Sequence, residues 1–327
     1  MVGVFKERNT FQVIILVILA AIAKTVYLLH PPVQTYLPER GVLSSWLSNW
    51  YTTASPFLLA FLAFLLNVAC AFYANAVLND QRMFAKTNML TAMGMVMLSS
   101  FFPVANTLSS GLLLMPLVIW IYSEVSSLYR AKLPKASVFN IGLAVGLGAI
   151  LYHPFILLAA FAAYGLASMR PFSIKEWLIL LLGFLTPYYF LFAYDFLNGH
   201  WHPLHHLPRL YYSFLQFGKD IYAFITYGII ALWLLVGLFE WNKALRRMLV
   251  QARKSWNLLL LLVFLTIGML FCHTGKSADP YALLVFPVAS FGAYAFAGPK
   301  RAFIPTLLFW LIAFALALVC LHFNDMA

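Results

Sequence analysis

The chain has 327 residues, 63% of them hydrophobic and 9% charged, with a mean hydropathy of +0.87. Soluble domains carry about 25% charged residues, so this composition excludes a water-soluble globular protein and requires lipid to solvate most of the surface. The formal charge of +11 would suggest a nucleic-acid partner in a soluble protein, but its distribution along this chain reads as membrane orientation and excludes that partner.

The first apolar run, "FQVIILVILAAIAKTVYLLH" (11–30), is longer than a signal-peptide core and lacks a small-residue cleavage site, so it reads as a retained signal anchor. Further runs follow at 54–78, 89–103, 107–129, 138–152, 154–169, 176–196, 220–240, 257–273, 281–297 and 302–322, giving about eleven helices. Those at 89–103, 138–152 and 154–169 are too short for each to cross a bilayer on its own. The predicted fold is an all-α polytopic transmembrane protein with short paired helices. It forms a single transmembrane domain over 1–327, with no separate soluble domain. The segment "KALRRMLVQARK" (243–254) reads as a basic amphipathic connector lying on anionic headgroups, with a partner-binding helix as the alternative.

Placing the amino terminus inside sorts the basic residues. Sixteen fall in inside segments: Lys6 and Arg8; Arg82 and Lys86; Arg130, Lys132 and Lys135; Arg170 and Lys175; Lys243, Arg246, Arg247, Arg253 and Lys254; Lys300 and Arg301. Four fall outside, Arg40, Arg209, Lys219 and Lys276, and Lys24 is left within the first helix. This positive-inside bias puts the amino terminus in the cytoplasm and the carboxyl terminus outside. Every histidine then maps to the outer face: His30, His153, His200, His202, His205, His206, His273 and His322. Asp195, Asp220, Asp279 and Glu39 join them there. Glu124 is the carboxylate predicted to lie within the membrane, read as paired with Arg130 or at a water-exposed helix end, with a functional role as the alternative. Cys70, Cys272 and Cys320 have no metal or redox spacing and read as packing residues.

The stretch "GHWHPLHHLPRLYY" (199–212) holds four of the eight histidines. Three readings stay open for it: an interfacial collar, a metal site built from His200, His202, His205 and His206, or contact with a substrate. Pro203 and Pro208 break any helix there, which removes ligand pairs at helical spacing.

Three segments together resemble the GT-C superfamily of membrane glycosyltransferases: "FNIGLAVGLGAILYHPFILLAAFAAYGLASMRP" (139–171), "MLFCHTGKSADPYALLVFPVASFGAYAFA" (269–297) and "TAMGMVMLSSFFPVANTLSSGLLLMPLVIWIYSEVSSLYR" (91–130). "MVGVFKERNTFQ", "LNDQRMFAKTNMLTAMGMVMLSSFFP" and "TPYYFLFAYDFLNGHW" resemble a family of integral membrane proteins from Bacteroidota, over most of the chain. The second resemblance implies a multi-pass protein of a bacterial inner membrane. It implies no activity.

The GT-C resemblance implies a glycosyltransferase that works at the periplasmic face on a sugar carried by polyprenyl phosphate. Such enzymes usually place an aspartate base in the first outer loop. Here that loop, "PPVQTYLPERGVLSSWLSNW" (31–50), contains Glu39 as its one carboxylate. Glu39 and Asp195 are therefore the candidate catalytic residues. Arg40, His153, Arg209, His273, Lys276 and Tyr281 are the candidate substrate contacts, with the cations holding a lipid phosphate. A divalent metal ion remains open as a cofactor, with Asp195 and the histidine stretch as its ligands. The partners implied are membrane lipids, a polyprenyl-phosphate carrier and an envelope protein. Two other functions compete: a non-catalytic membrane subunit of an envelope-assembly or secretion complex with a transferase-like scaffold, and a histidine-metal membrane enzyme.

Overall fold

The computed structural model describes residues 3, 5, 10–32, 42–199, 221–272, 279–299 and 303–326. These residues form an all-α protein without a strand. The helices are α1 (Thr10–Leu29), α2 (Val42–Thr53), α3 (Pro56–Asp80), α4 (Leu90–Ser100), α5 (Ser110–Ser127), α6 (Lys135–Leu151), α7 (Leu158–Met169), α8 (Ile174–Leu197), α9 (Ile221–Ala244), α10 (Val250–Phe271), α11 (Asp279–Ala297) and α12 (Phe303–Met326). Among the described residues eight helices are long and apolar enough to cross a membrane, and α4, α6 and the 153–169 segment are shorter apolar helices. The chain is a multi-pass membrane protein.

Burial divides the helices into a shaft and a surround. Every residue of α4 is buried, and α11 packs against α9, α4, α10 and α5. Small residues on α11 make this close packing possible: Ala282, Ala289, Ser290, Ala293 and Ala295 are fully enclosed. By contrast α8 presents Leu178, Leu181, Leu182, Leu185 and Phe190 outward. An apolar surface of this size on every turn is a lipid-facing one. The helix is held through α6, where glycines let the backbones touch. A Cβ at Gly142 would strike Leu180 O, one at Gly146 would strike Phe184 O, and one at Gly183 would strike Phe139 O. Gly142 and Gly146 stand four residues apart, the small-xxx-small spacing of close membrane crossings.

One end of the bundle gathers the connections richest in arginine and lysine. Arg130 Nε donates to Gln251 Oε1 (2.6 Å), whose own amide donates to Gln81 Oε1 (3.0 Å). Arg170 reaches Ala131 O (2.8 Å) and pairs with Glu176 (3.2 Å), and Lys254 donates to Ser168 O (2.6 Å). The connection between α3 and α4 is locked beneath this network. Asn75 and Asn79 each donate to Asn88 O at 2.9 Å, and Trp256 Nε1 donates to Met83 O at 3.2 Å. Phe84 fills the space between Trp256 and Tyr294.

Two sequence expectations are corrected. The segment 31–50 is not wholly a loop, because it contains the start of α2, a twelfth helix too short and too polar to register as an apolar run. The connector expected over 243–254 is also shorter than that. The chain runs to Ala244 in α9, turns once at Leu245–Arg247, and re-enters α10 at Val250. Gln251, Ala252, Ser255 and Trp256 are buried there, so α10 starts seven residues earlier than its hydropathy predicts.

Candidate functional site

Three candidate residues lie among the described ones. Asp195 is half-buried in the last turn of α8. His153 is buried at the start of a 3-10 turn, His153–Leu157, that joins α6 to α7. Tyr281 lies in the first turn of α11, with its ring 5.2 Å from that of Phe102 and its hydroxyl bonded to Tyr227. Glu39, Arg40, His200, His202, His205, His206, Arg209, His273 and Lys276 lie outside the described residues. Among the described residues no group of three histidine, cysteine or acidic side chains could hold a metal ion. Arg130 binds Gln251, and Glu124 is half-buried with Tyr73 as an electrostatic neighbour.

The helices bordering the two outer segments meet. Leu47 of α2, Leu59 and Ala63 of α3, Leu108 and Leu112 around the start of α5, and Ala282 of α11 form one buried cluster. Leu43 packs against it. Trp46 and Trp50 project from α2 with their rings stacked at 5.1 Å, the amphipathic aromatic pattern of a membrane interface. The chain that carries Glu39 and Arg40 thus enters α2, and the chain that carries Lys276 enters α11, beside a common wall.

Under this wall the backbone leaves the helix inside the protein. α4 has 11 residues, which rise only about 16 Å, and the chain then runs through 101–109, with a single 3-10 turn at Pro103–Asn106, before α5 begins. Non-helical backbone at membrane depth must find its hydrogen bonds within the protein, and neighbouring side chains supply them. Tyr27 of α1 donates to Ser100 O at 2.8 Å. Asn67 of α3 donates to Ala105 O at 2.7 Å, and Asn106 donates to Ser99 O and Phe102 O, both at 3.0 Å. Leu108 N donates to the Tyr51 hydroxyl of α2 at 3.1 Å, and Ser109 caps α5 by accepting from Leu112 N.

Lys24 is the residue that sequence reasoning missed. It stands one turn before Tyr27 and is 1% exposed. Cys70 of α3 is its electrostatic neighbour. Its Nζ has no hydrogen-bond partner among the described residues, and neither has Asn106 Oδ1. The elements carrying them, α1 and the Pro103–Asn106 turn, are packed together. Buried polar groups are normally satisfied, so an open donor and an open acceptor on adjoining elements mark a place for a polar guest or a proton. The sequence carried the signal as a single lysine in an otherwise apolar span.

Comparison with known protein families, with characterised proteins and with solved structures finds no match.

Proposed function

We propose that the chain is a membrane transferase of GT-C type, acting at the face opposite its basic end on a sugar linked to polyprenyl phosphate. The observation that carries this reading is the buried cluster uniting α2, α3, α5 and α11. It brings the entry points of the Glu39–Arg40 and Lys276 segments to one wall, beneath an interfacial tryptophan helix. Glu39 acts as the base that takes the proton of an acceptor hydroxyl. The freed oxygen attacks the anomeric carbon, and the polyprenyl phosphate leaves with the bonding pair. Arg40, Arg209 and Lys276 hold that phosphate by charge-assisted bonds, which strengthen as its charge develops. Asp195, His153, His273 and Tyr281 line the acceptor side, and the histidine stretch His200, His202, His205 and His206 either contacts the substrate or holds a divalent ion. A bacterial inner membrane is the setting this reading requires.

The isolated amine of Lys24 favours an active protein over a bare scaffold, which has no use for a buried polar group that lacks a partner. The test is release of polyprenyl phosphate from synthetic carriers bearing mannose, glucose or galactose, by purified protein in lipid nanodiscs with envelope extract as acceptor. Glu39→Gln is expected to abolish release without loss of folded protein. Full release by that variant removes Glu39 as the base, and a folded wild type inert towards every carrier overturns the transferase reading.

A further inference from the structure

We infer that the basic end carries a binding site for the phosphate of an anionic phospholipid, built by Arg82 and Arg247. A cavity of about 480 Å³ lies between the α3–α4 connection and the turn that joins α9 to α10. Arg82 enters it from the first segment and Arg247 from the second, 165 positions later, with Thr87 as a neutral hydrogen-bonding group, Asn79 engaged with Asn88, and no carboxylate among the described lining residues.

Three observations separate this pair from basic residues that serve orientation alone. At the same end Arg130, Arg170, Lys243 and Lys254 are taken up by protein acceptors, and the exposed Arg246 and Arg253 lie outside the cavity. The guanidinium groups of Arg82 and Arg247 make no hydrogen bond or ion pair with any described residue, and both border the same cavity. Arg82 also has φ +53°, and it is the one non-glycine residue with positive φ among the described residues. A left-handed conformation is unfavourable for an arginine and persists where the surroundings fix it. Here Met83 O is held by Trp256, and Phe84 is held between Trp256 and Tyr294, so the bend that presents Arg82 is built into the loop.

The shape selects a lipid over a soluble phosphate. Leu249, 63% exposed, forms part of the cavity lining and continues into Val250 at the start of α10, 55% exposed. An acyl chain can lie on that apolar rim while its headgroup phosphate meets two guanidinium groups, which bind phosphate through planar forks. Basic pockets between helices on this side of a membrane suit anionic headgroups.

The test is native mass spectrometry of delipidated protein given phosphatidylglycerol against a phosphatidylcholine background. The double variant Arg82→Gln/Arg247→Gln is expected to retain phosphatidylglycerol about tenfold less well, the loss of charge-assisted bonds worth one decade of affinity. Arg246→Gln/Arg253→Gln removes the same charge from exposed residues outside the cavity and is expected to bind within about twofold of wild type. Equal losses in the two double variants would reduce the effect to general surface attraction and overturn the site. Displacement of the lipid by equimolar glycerol 3-phosphate would overturn the lipid assignment. Arg82→Gly keeps the backbone conformation at no steric cost. It supplies a folded variant in which retention must still fall, and unchanged retention in it overturns the role of Arg82.

Discussion

Replacing Lys24 by methionine is expected to make the protein more stable and to impair its function, and the two effects can be measured apart. The amine lies within α1 at 1% exposure with no partner for Nζ among the described residues. Burying an ammonium unpaired costs several kcal/mol. Even as a neutral amine, its unbonded N–H groups cost about 1–3 kcal/mol. Methionine has a similar length and no polar hydrogen, and a near-isosteric apolar exchange in a packed interior costs less than about 1.5 kcal/mol. Set against that exchange cost, the amine term leaves an expected net gain of about 0–3 kcal/mol. Thermal unfolding in a mild detergent, followed by tryptophan fluorescence, reads the gain as a higher midpoint. Carrier turnover in nanodiscs reads the functional loss. A Lys24→Met protein that unfolds earlier than wild type would refute the reasoning, since it would mean that the amine makes a stabilising contact. A stabilised variant with full turnover would leave the buried amine without a functional role.

Other substitutions probe the framework around that residue. Asn106→Leu removes the side-chain donor to Ser99 O and Phe102 O, which keep backbone donors from Phe102 and Ala105; a loss of about 1–3 kcal/mol for the two bonds is expected in urea or thermal unfolding. Asn106→Asp should not restore it, because a carboxylate donates nothing. Gly146→Leu drives a side chain into Phe184 O and should separate α8 from α6. The expected outcome is a lower thermal midpoint together with faster proteolysis in the 170–173 connection, whereas Gly228→Leu, at an open position, should change neither.

Much of the architecture was legible because membrane helices announce themselves by length and hydropathy. The eleven predicted runs correspond to helices, and the three flagged as short are those that cannot cross unaided. α2 was not legible, because Ser44, Ser45, Ser48, Asn49, Thr52 and Thr53 dilute its apolar character and only its position over α3 and α5 gives it a use. The start of α10 was hidden for the opposite reason. Arg253 and Lys254 dominate the local charge, while burial of Gln251 and Ser255 depends on Gln81, Arg130 and Tyr122, which lie more than a hundred residues away. The interior site escaped for a related reason. The apolar run at 89–103 does not reveal that the helix stops at Ser100, because the residues that satisfy the broken backbone are Tyr27, Tyr51 and Asn67 on three other helices.

α11 ties the two polar ends together. Its first turn carries Tyr281 against Phe102 at the edge of the backbone break, and its last turns carry Tyr294 against Phe84 at the edge of the basic cavity. They stand thirteen positions apart, about 20 Å of helix, along which enclosed side chains from Ala282 to Ala293, Leu283, Phe286 and Phe291 among them, leave little room for rearrangement. Trp233 fixes this helix to α9 by donating to Gly292 O at 3.0 Å, and a Cβ at Gly237 would meet Phe291 O. The shaft of α4, α9 and α11 is therefore the stiff part of the molecule. The lipid-facing α8 has the smallest buried share of the long helices and is held through its extensive contact with α6. On the proposed transferase reading, we expect a lipid-borne substrate to enter from the lipid-facing α8 side, with the shaft holding the polar interior in register. Cross-linking α6 to α8 through cysteines introduced near Gly146 and Phe184 should then slow carrier turnover without altering the unfolding midpoint by more than a few degrees, and unchanged turnover in the cross-linked protein would remove α8 as the moving wall.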